Sequence, residues 1–215
     1  MADAVPPVAG VVLAGGKSSR LGLDKAEVLF RGVNLLDRAV AVVQSVVSEV
    51  WIAGRCPVGW VGPWLQDEQP GLGPLGGILT ALRAIRKPLL VISCDLPLLG
   101  PATLEQLLAT RREQLTDQVM TTFWQKETGF IEALVAVYEP EAEPLLEAAR
   151  ANGIYKLSRA IPFEKRLHIP YSQVDALPFF NVNYPADLAL LRFYEQHGKD
   201  ALQEYLRAKE EEEIS

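Results

Sequence analysis

The chain has 215 residues, 49% apolar and 22% charged, with a formal net charge of −6, a balance that excludes whole-chain disorder and argues against duplex nucleic acid as the main partner. Two cysteines, Cys56 and Cys94, exclude a disulfide framework and point to a reducing, cytoplasmic setting. No apolar run nears the roughly 20 residues of a bilayer span, and Met1-Ala2-Asp3-Ala4 lacks the basic start of a secretory leader, so neither membrane insertion nor export is expected.

In chain order, Val8–Leu13 is apolar and β-branched, runs into Gly15-Gly16, and predicts a buried strand followed by a loop. Leu36, Val40, Val43 and Val47 recur at helical spacing, widened by Leu35, Ala39 and Val46, and predict an amphipathic helix. Glu49–Ala53 predicts a second strand, and the Gly-, Pro- and Trp-rich stretch 54–74 a loop with room for one short strand. Pro74–Arg86 reads as helix, Leu89–Ser93 as a strand buried on both faces, and Pro101 as a helix start. Further on, strands are expected at Gln118–Phe123 and Ile131–Tyr138, with helices near 140–151 and 153–161. Short strands at Leu167–Ile169 and Phe179–Asn183 follow, then helices from Pro185 and over about 199–208. Strands alternating with helices imply an α/β fold with a mostly parallel central sheet. One domain is expected over residues 1–208, with an acidic tail over 209–215. Ligands of such sheets bind at the carboxyl ends of the strands, so the loops after Leu13, Ser93 and Val182 carry the interest.

The first of these loops is the most informative. Paired glycines let the backbone approach a ligand and aim N–H groups at it, and Lys17, Arg20 and Lys25 add three cations, a combination suited to polyphosphate. Gly16-Lys17-Ser18 imitates the end of a P-loop, but the position of its first glycine is Val11. The spacing Gly15, Gly16, Gly22 also fails the dinucleotide fingerprint G-x-G-x-x-G.

The loop resembles the nucleotidyltransferase signature L-A-G-G-x-S-x-R-[LM]-G-x-D-K at every fixed position from Leu13 to Lys25. Further segments follow in order: Asp67, Gly73-Pro74-Leu75-Gly76-Gly77-Ile78, Ser93-Cys94-Asp95-Leu96-Pro97-Leu98-Leu99, and Asn181-Val182-Asn183-Tyr184-Pro185-Ala186-Asp187-Leu188. With these the chain, over about residues 8 to 194, is similar to the molybdenum cofactor guanylyltransferases, the MobA family. The resemblance implies a Rossmann-like three-layer sandwich of the nucleotide-diphospho-sugar transferase type. It implies transfer of GMP from GTP to a molybdopterin-type cofactor, with Mg²⁺ as cofactor and pyrophosphate as the second product. Molybdoenzymes or their chaperones are the protein partners it brings with it. A related transferase using CTP or acting on a sugar phosphate, and a non-catalytic cofactor carrier, are the alternatives.

Such chemistry asks for cations, a metal and positioning rather than a covalent nucleophile. Accordingly no Ser-His-Asp set stands out, and His168 and His197 lie outside the motifs. Asp95 is the metal candidate, because it follows an apolar strand and should emerge at the ligand edge; the alternative is a turn cap. By the resemblance, Arg20 and Lys25 neutralise phosphates, Asp24 orients Lys25 or the loop, and Lys17, at a variable position, is solvated. Leu13, Ala14, Gly15 and Gly16 contact the nucleotide through backbone, and Pro74, Leu75 and Gly76 read guanine in the same way. Asp67 accepts hydrogen bonds from guanine or from ribose. Asn181 and Asn183, on one side of an extended segment, bind a metal-bound water, phosphate or pterin, or form an Asx-turn before Pro185. Lys156 and Arg159 stand where relatives carry basic residues near the pterin phosphate. Ile52-Ala53-Gly54-Arg55 lacks the asparagine that relatives carry there, and the role of Glu132 is open.

Overall fold

The computed structural model describes residues 6–14, 28–57, 59–68 and 71–214, with side chains as far as Leu202. Strand β1 (Ala9–Ala14) is followed by a small hairpin, β2 (Leu29–Phe30) and β3 (Val33–Asn34), and by α1 (Leu35–Gln44). Next come β4 (Val50–Gly54), β5 (Trp64–Leu65), α2 (Gly73–Ile85), β6 (Leu89–Ser93) and α3 (Pro101–Gln114). The second half contains β7 (Met120–Gln125), β8 (Ile131–Tyr138), α4 (Glu143–Ala151), α5 (Leu157–Ala160), β9 (Arg166–Tyr171) and α6 (Pro185–Ile214).

Seven strands form one sheet in the order β5-β4-β1-β6-β8-β7-β9. Strands β5, β4, β1 and β6 are mutually parallel. β8 runs against both β6 and β7, and β9 is parallel to β7. One reversed strand therefore sits inside an otherwise parallel sheet. Consequently β1, β4, β5, β6, β7 and β9 all end on one edge, and β8 begins there.

Alternation along the strands divides the core between the two faces. Val11, Leu13, Leu89 and Val91 pack with Leu75, Ile78, Leu79 and Leu82 of α2 and with Leu146 of α4 and Leu157 of α5. Val12, Ile52, Leu90 and Ile92 pack with Leu36, Val40 and Val43 of α1 and with Leu104 and Leu107 of α3. Each fully buried side chain of this kind contributes about 1.5–3 kcal/mol. Helix on sheet on helix is thus the layer order, as expected. A third, smaller cluster joins Phe30 of the hairpin, Leu35, Val182 and Leu191 of α6.

Local chemistry sets the helix ends. Asn34 caps α1 by accepting from the Asp37 N–H at 2.7 Å. Arg86, at φ 55°, turns the chain out of α2. Pro101 opens α3, where its missing N–H leaves no helix bond unmade. At Gly10 a Cβ would lie 2.2 Å from Val43 Cγ1, so glycine there lets α1 approach the sheet.

Three expected elements differ. The helix predicted at 153–161 is confined to Leu157–Ala160. Gly153, at φ 71°, ends α4 in the left-handed region, with the Ile154 N–H donating back to the Ala149 carbonyl at 2.8 Å. The strand predicted at Phe179–Asn183 is absent; a 3₁₀ turn covers Leu177–Phe179, and Val182 is buried in the small third cluster instead of pairing with the sheet. Helical backbone runs to Ile214 instead of stopping near 208, with a break at Gly198, φ 84°.

Candidate functional site

The carboxyl edge of the sheet brings the motif segments together. The Leu13 carbonyl accepts from the Cys94 N–H at 3.3 Å, and the Ala14 carbonyl accepts from the Arg55 N–H at 3.4 Å. The end of β1 is thereby held between the ends of β4 and β6. Asp95, two residues beyond β6, is buried at 8% exposure. Its carbonyl accepts from the Val182 N–H at 2.9 Å, which draws the Asn-Val-Asn segment from far along the chain against the loop after β6. Asn181 is exposed, Val182 buried and Asn183 half-buried, the alternation of an extended segment. The turn into α6 is capped by Asp187, whose Oδ2 accepts from the N–H groups of Asn183 and Tyr184, each at 2.8 Å. Asp187 thus supplies a cap at this turn. Arg38 of α1 ties down the loop after Asp95 by donating to the Pro97 carbonyl at 2.5 Å.

One side of Asp95 is formed by β1, β4, β5 and α2. Asp67 lies two residues beyond β5 and is half-buried. A Cβ on Gly77 would lie 3.4 Å from Asp67 Oδ1 and 3.2 Å from Leu13 Cδ2. Glycine at that point of α2 thus makes room for the carboxylate beside β1. Burial pushes the Asp67 carboxyl above the usual aspartate range. The next residue is anchored twice: the Glu68 N–H donates to Thr80 Oγ1 at 3.2 Å, and its carboxylate pairs with Arg83 at 3.0 Å. Arg83 also pairs with Glu143 and Glu147 of α4, so α2 and α4 together fix the loop carrying Asp67. Pro74 is exposed at the first turn of α2, whereas Leu75 and Gly76 are buried. The Leu75 side chain faces the core and is 0% exposed, which leaves backbone as its means of touching a ligand.

The other side is formed by β8, β7 and β9. Tyr171, at the end of β9, donates to Glu132 Oε1 at 2.5 Å, and Thr122 Oγ1 donates to the Glu132 carbonyl at 2.9 Å. Burial pushes the Glu132 carboxyl up, against the opposing effect of the Tyr171 hydroxyl. The Tyr171 ring lies 4.7 Å from that of Phe179, which in turn is 5.0 Å from that of Phe123. Sequence patterns alone do not reveal the pairing of Glu132 with Tyr171 or the Arg38 and Arg83 anchors; each is made across elements distant in sequence.

Gly15, Gly16, Lys17, Arg20, Asp24 and Lys25 lie outside the described residues. Leu13, Ala14, Asp67, Asp95, Asn181 and Asn183 share the carboxyl edge of the sheet with α2's first turn. Lys156 and Arg159 are exposed at α5 and belong to none of these loops. Among the described residues no cluster of three or more His, Cys, Asp or Glu side chains forms a metal cage. Asp95 offers a hard carboxylate oxygen at the strand end. That donor suits Mg²⁺, which takes one or two carboxylates and completes its shell with water and substrate phosphate. Among the described residues no helix is long and apolar enough to cross a membrane.

A parallel-dominated sheet with helices on both faces, and with the motif residues along its carboxyl edge, is the nucleotide-diphospho-sugar transferase fold. The crystal structure of molybdopterin-guanine dinucleotide biosynthesis protein A from Archaeoglobus fulgidus superposes with a TM-score of 0.70 at 24% identity, covering 86% of this chain and 96% of that one. In sequence, the probable molybdenum cofactor guanylyltransferase of Chloroflexus aggregans is 32% identical over 203 residues, 87% of this chain and 94% of its own length. The protein of the same description from Carboxydothermus hydrogenoformans is 33% identical over 187 residues, 82% of this chain and 90% of its own. The sequence profile of the MobA-like NTP transferase domain matches residues 10–167, and the chain belongs to that family.

Proposed function

We propose that the protein transfers GMP from GTP to a molybdopterin-type cofactor, forming the guanine dinucleotide cofactor and releasing pyrophosphate. The observation that carries this reading is the hydrogen bond from the Val182 N–H to the Asp95 carbonyl. It joins the Asp95 loop, beside β1, to the Asn181-Val182-Asn183 segment. The relatives described as guanylyltransferases, 32% and 33% identical along most of their length, support the choice of substrates.

In the reaction, a phosphate oxygen of the pterin cofactor attacks the α-phosphorus of GTP. A new phosphorus–oxygen bond forms as the bond to the bridging oxygen of the β-phosphate breaks, and pyrophosphate leaves with the electron pair. We assign Asp67 to guanine, accepting from N1–H and N2–H₂. Those donors restore the interactions that a half-buried carboxylate has lost to water. The backbone of Leu13, Ala14, Pro74, Leu75 and Gly76 lines the same nucleotide. Lys25 and Arg20 are assigned to the phosphates, where their charge is worth most as the leaving group develops. Asp95 is assigned to Mg²⁺, which would supply charge neutralisation on the phosphates when bound. Asn181 and Asn183 face the acceptor. The product would then pass to molybdoenzymes or their chaperones.

The test is pyrophosphate release from GTP, Mg²⁺ and molybdopterin, with the dinucleotide identified by mass. Asp95→Ala is expected to abolish turnover while its circular dichroism stays that of the parent. Full activity in the variant would overturn the metal assignment. Faster turnover with CTP than with GTP would overturn the guanine assignment, and ligand binding without turnover would favour a carrier.

A further inference from the structure

The edge that carries Asp95 has a carboxylate on each side of it, and only one has a role so far. Because β8 runs against β6, with Ile92 opposite Val135, the first residues of β8 reach the edge where β6 ends. Glu132 is there, half-buried. No cation reaches it among the described residues. Its side-chain partner is the Tyr171 hydroxyl, on Oε1, which leaves Oε2 available to a ligand. A carboxylate withdrawn from water is costly unless donors meet it, and here the protein supplies one. Beside it the rings of Tyr171 and Phe123 are buried in the core, and the half-buried Phe179 ring packed on them is the apolar wall suited to a flat heterocycle. Gln125, which pairs in register with Tyr171, is bonded to Gln173 and accepts from Thr128, so the polar rim around this wall is held in place.

The sheet order puts β5, which leads to Asp67, four strand spacings from β8, or roughly 19 Å at the usual inter-strand distance. That separation is on the scale of a dinucleotide drawn out across its pyrophosphate. Both substrates of the proposed reaction present the same recognition face, a 2-amino-4-oxopyrimidine ring with adjacent N–H and NH₂ donors. One ring is guanine, on the Asp67 side.

We infer that Glu132, positioned by Tyr171, is the carboxylate that reads the pterin ring of the acceptor, receiving its ring N–H and 2-amino donors against the Phe179 wall. This rests on the transferase reading above.

The experiment measures steady-state kinetics of the full chain with GTP and molybdopterin for the parent, Glu132→Gln and Tyr171→Phe, with thermal melts to confirm folding. The expected result for Glu132→Gln is a rise of about tenfold or more in the molybdopterin KM, the scale of a lost charged hydrogen bond, with the GTP KM unchanged. Tyr171→Phe keeps the ring and loses the hydroxyl; a smaller rise in the same KM alone is expected, and this variant decides the matter if Glu132→Gln does not fold. Inhibition by free pterin and by lumazine, which has oxygen in place of the 2-amino group, adds a chemical readout. The parent should prefer pterin, and Glu132→Gln should lose that preference. An unchanged molybdopterin KM, or a parallel rise in the GTP KM, would overturn the inference while leaving the transferase reading intact. A parent that forms no dinucleotide would instead overturn the transferase reading.

Discussion

At the scale of the residue, the two carboxylates flanking Asp95 are both half-buried, and both are pushed up by burial. For Asp67 the sign follows directly. Its folded pKa lies above the ordinary aspartate value, so the folded protein takes up this proton at a higher pH than the unfolded chain does. Above the raised pKa its charge opposes folding, and below it that penalty fades. Binding runs the other way, because only the carboxylate accepts from both guanine donors. The GTP KM should therefore rise as pH falls through the raised pKa, at a pH above that of a free aspartate. Asp67→Asn should raise the GTP KM by about tenfold at neutral pH and flatten that acid limb; KM measured against pH in both proteins checks it. Gly77 belongs to the same account. A Cβ there would crowd Leu13 Cδ2 at 3.2 Å and touch Asp67 Oδ1 at 3.4 Å, so side chains longer than that of alanine would disturb both.

Elements are held together by interactions of very different worth. The Arg83 network is partly solvated and orients a loop more than it stabilises the fold. Arg111 and Glu139 are another matter: they link α3 to the residue after β8 by two bonds, 2.6 and 2.8 Å, with side chains only 3% and 8% exposed. Arg111→Met strands a buried carboxylate and should cost about 3–5 kcal/mol, read as a shifted urea midpoint. Replacing Glu139 with Leu in the same chain should recover much of that loss. Legibility in the sequence divides along similar lines. Strands β1 and β6 and helix α1 carry local signals, apolar runs and an apolar stripe; the strands lie within a residue of where those signals put them, and α1 ends at Gln44, three residues short of the Val47 that closes its stripe. The motif residues Leu13, Asp67, Asp95, Asn181 and Asn183 are picked out by resemblance to family motifs, and the fold sets them along one edge of the sheet. The β2–β3 hairpin, with two residues per strand, is too short for periodicity to show. The Glu132–Tyr171 contact, between residues 39 apart, depends on which strand is reversed, and no local pattern encodes that. At Phe179–Asn183 the apolar run signals burial at Val182 but not strand pairing: Val182 packs with the hairpin and α6, and Phe179 packs on Phe123 and Tyr171 of the sheet.

At the scale of the whole molecule, the formal charge of −6 and pI near 5.1 describe a surface that repels polyanions. The proposed substrates are themselves anions, so recognition has to come from local groups, and Lys17, Arg20 and Lys25 are the sequence's concentrated supply. The reversed strand has a further consequence, in the order of assembly. Strands β7 and β8 are neighbours in sequence and in the sheet, so their ladder closes a short loop. The pairing of Val11 with Val91 must bring together segments from opposite sides of two helices. Short closures form in microseconds, and distant ones wait on loop entropy. Pulse-labelled hydrogen exchange during refolding should show the Thr121 and Val137 amides protected before those of Val11 and Val91. Simultaneous protection of the two pairs would refute that order. The β7–β8 hairpin would then be the earliest folded part of the sheet, and the crossovers that bring Asp67 and Asp95 to its edge would follow.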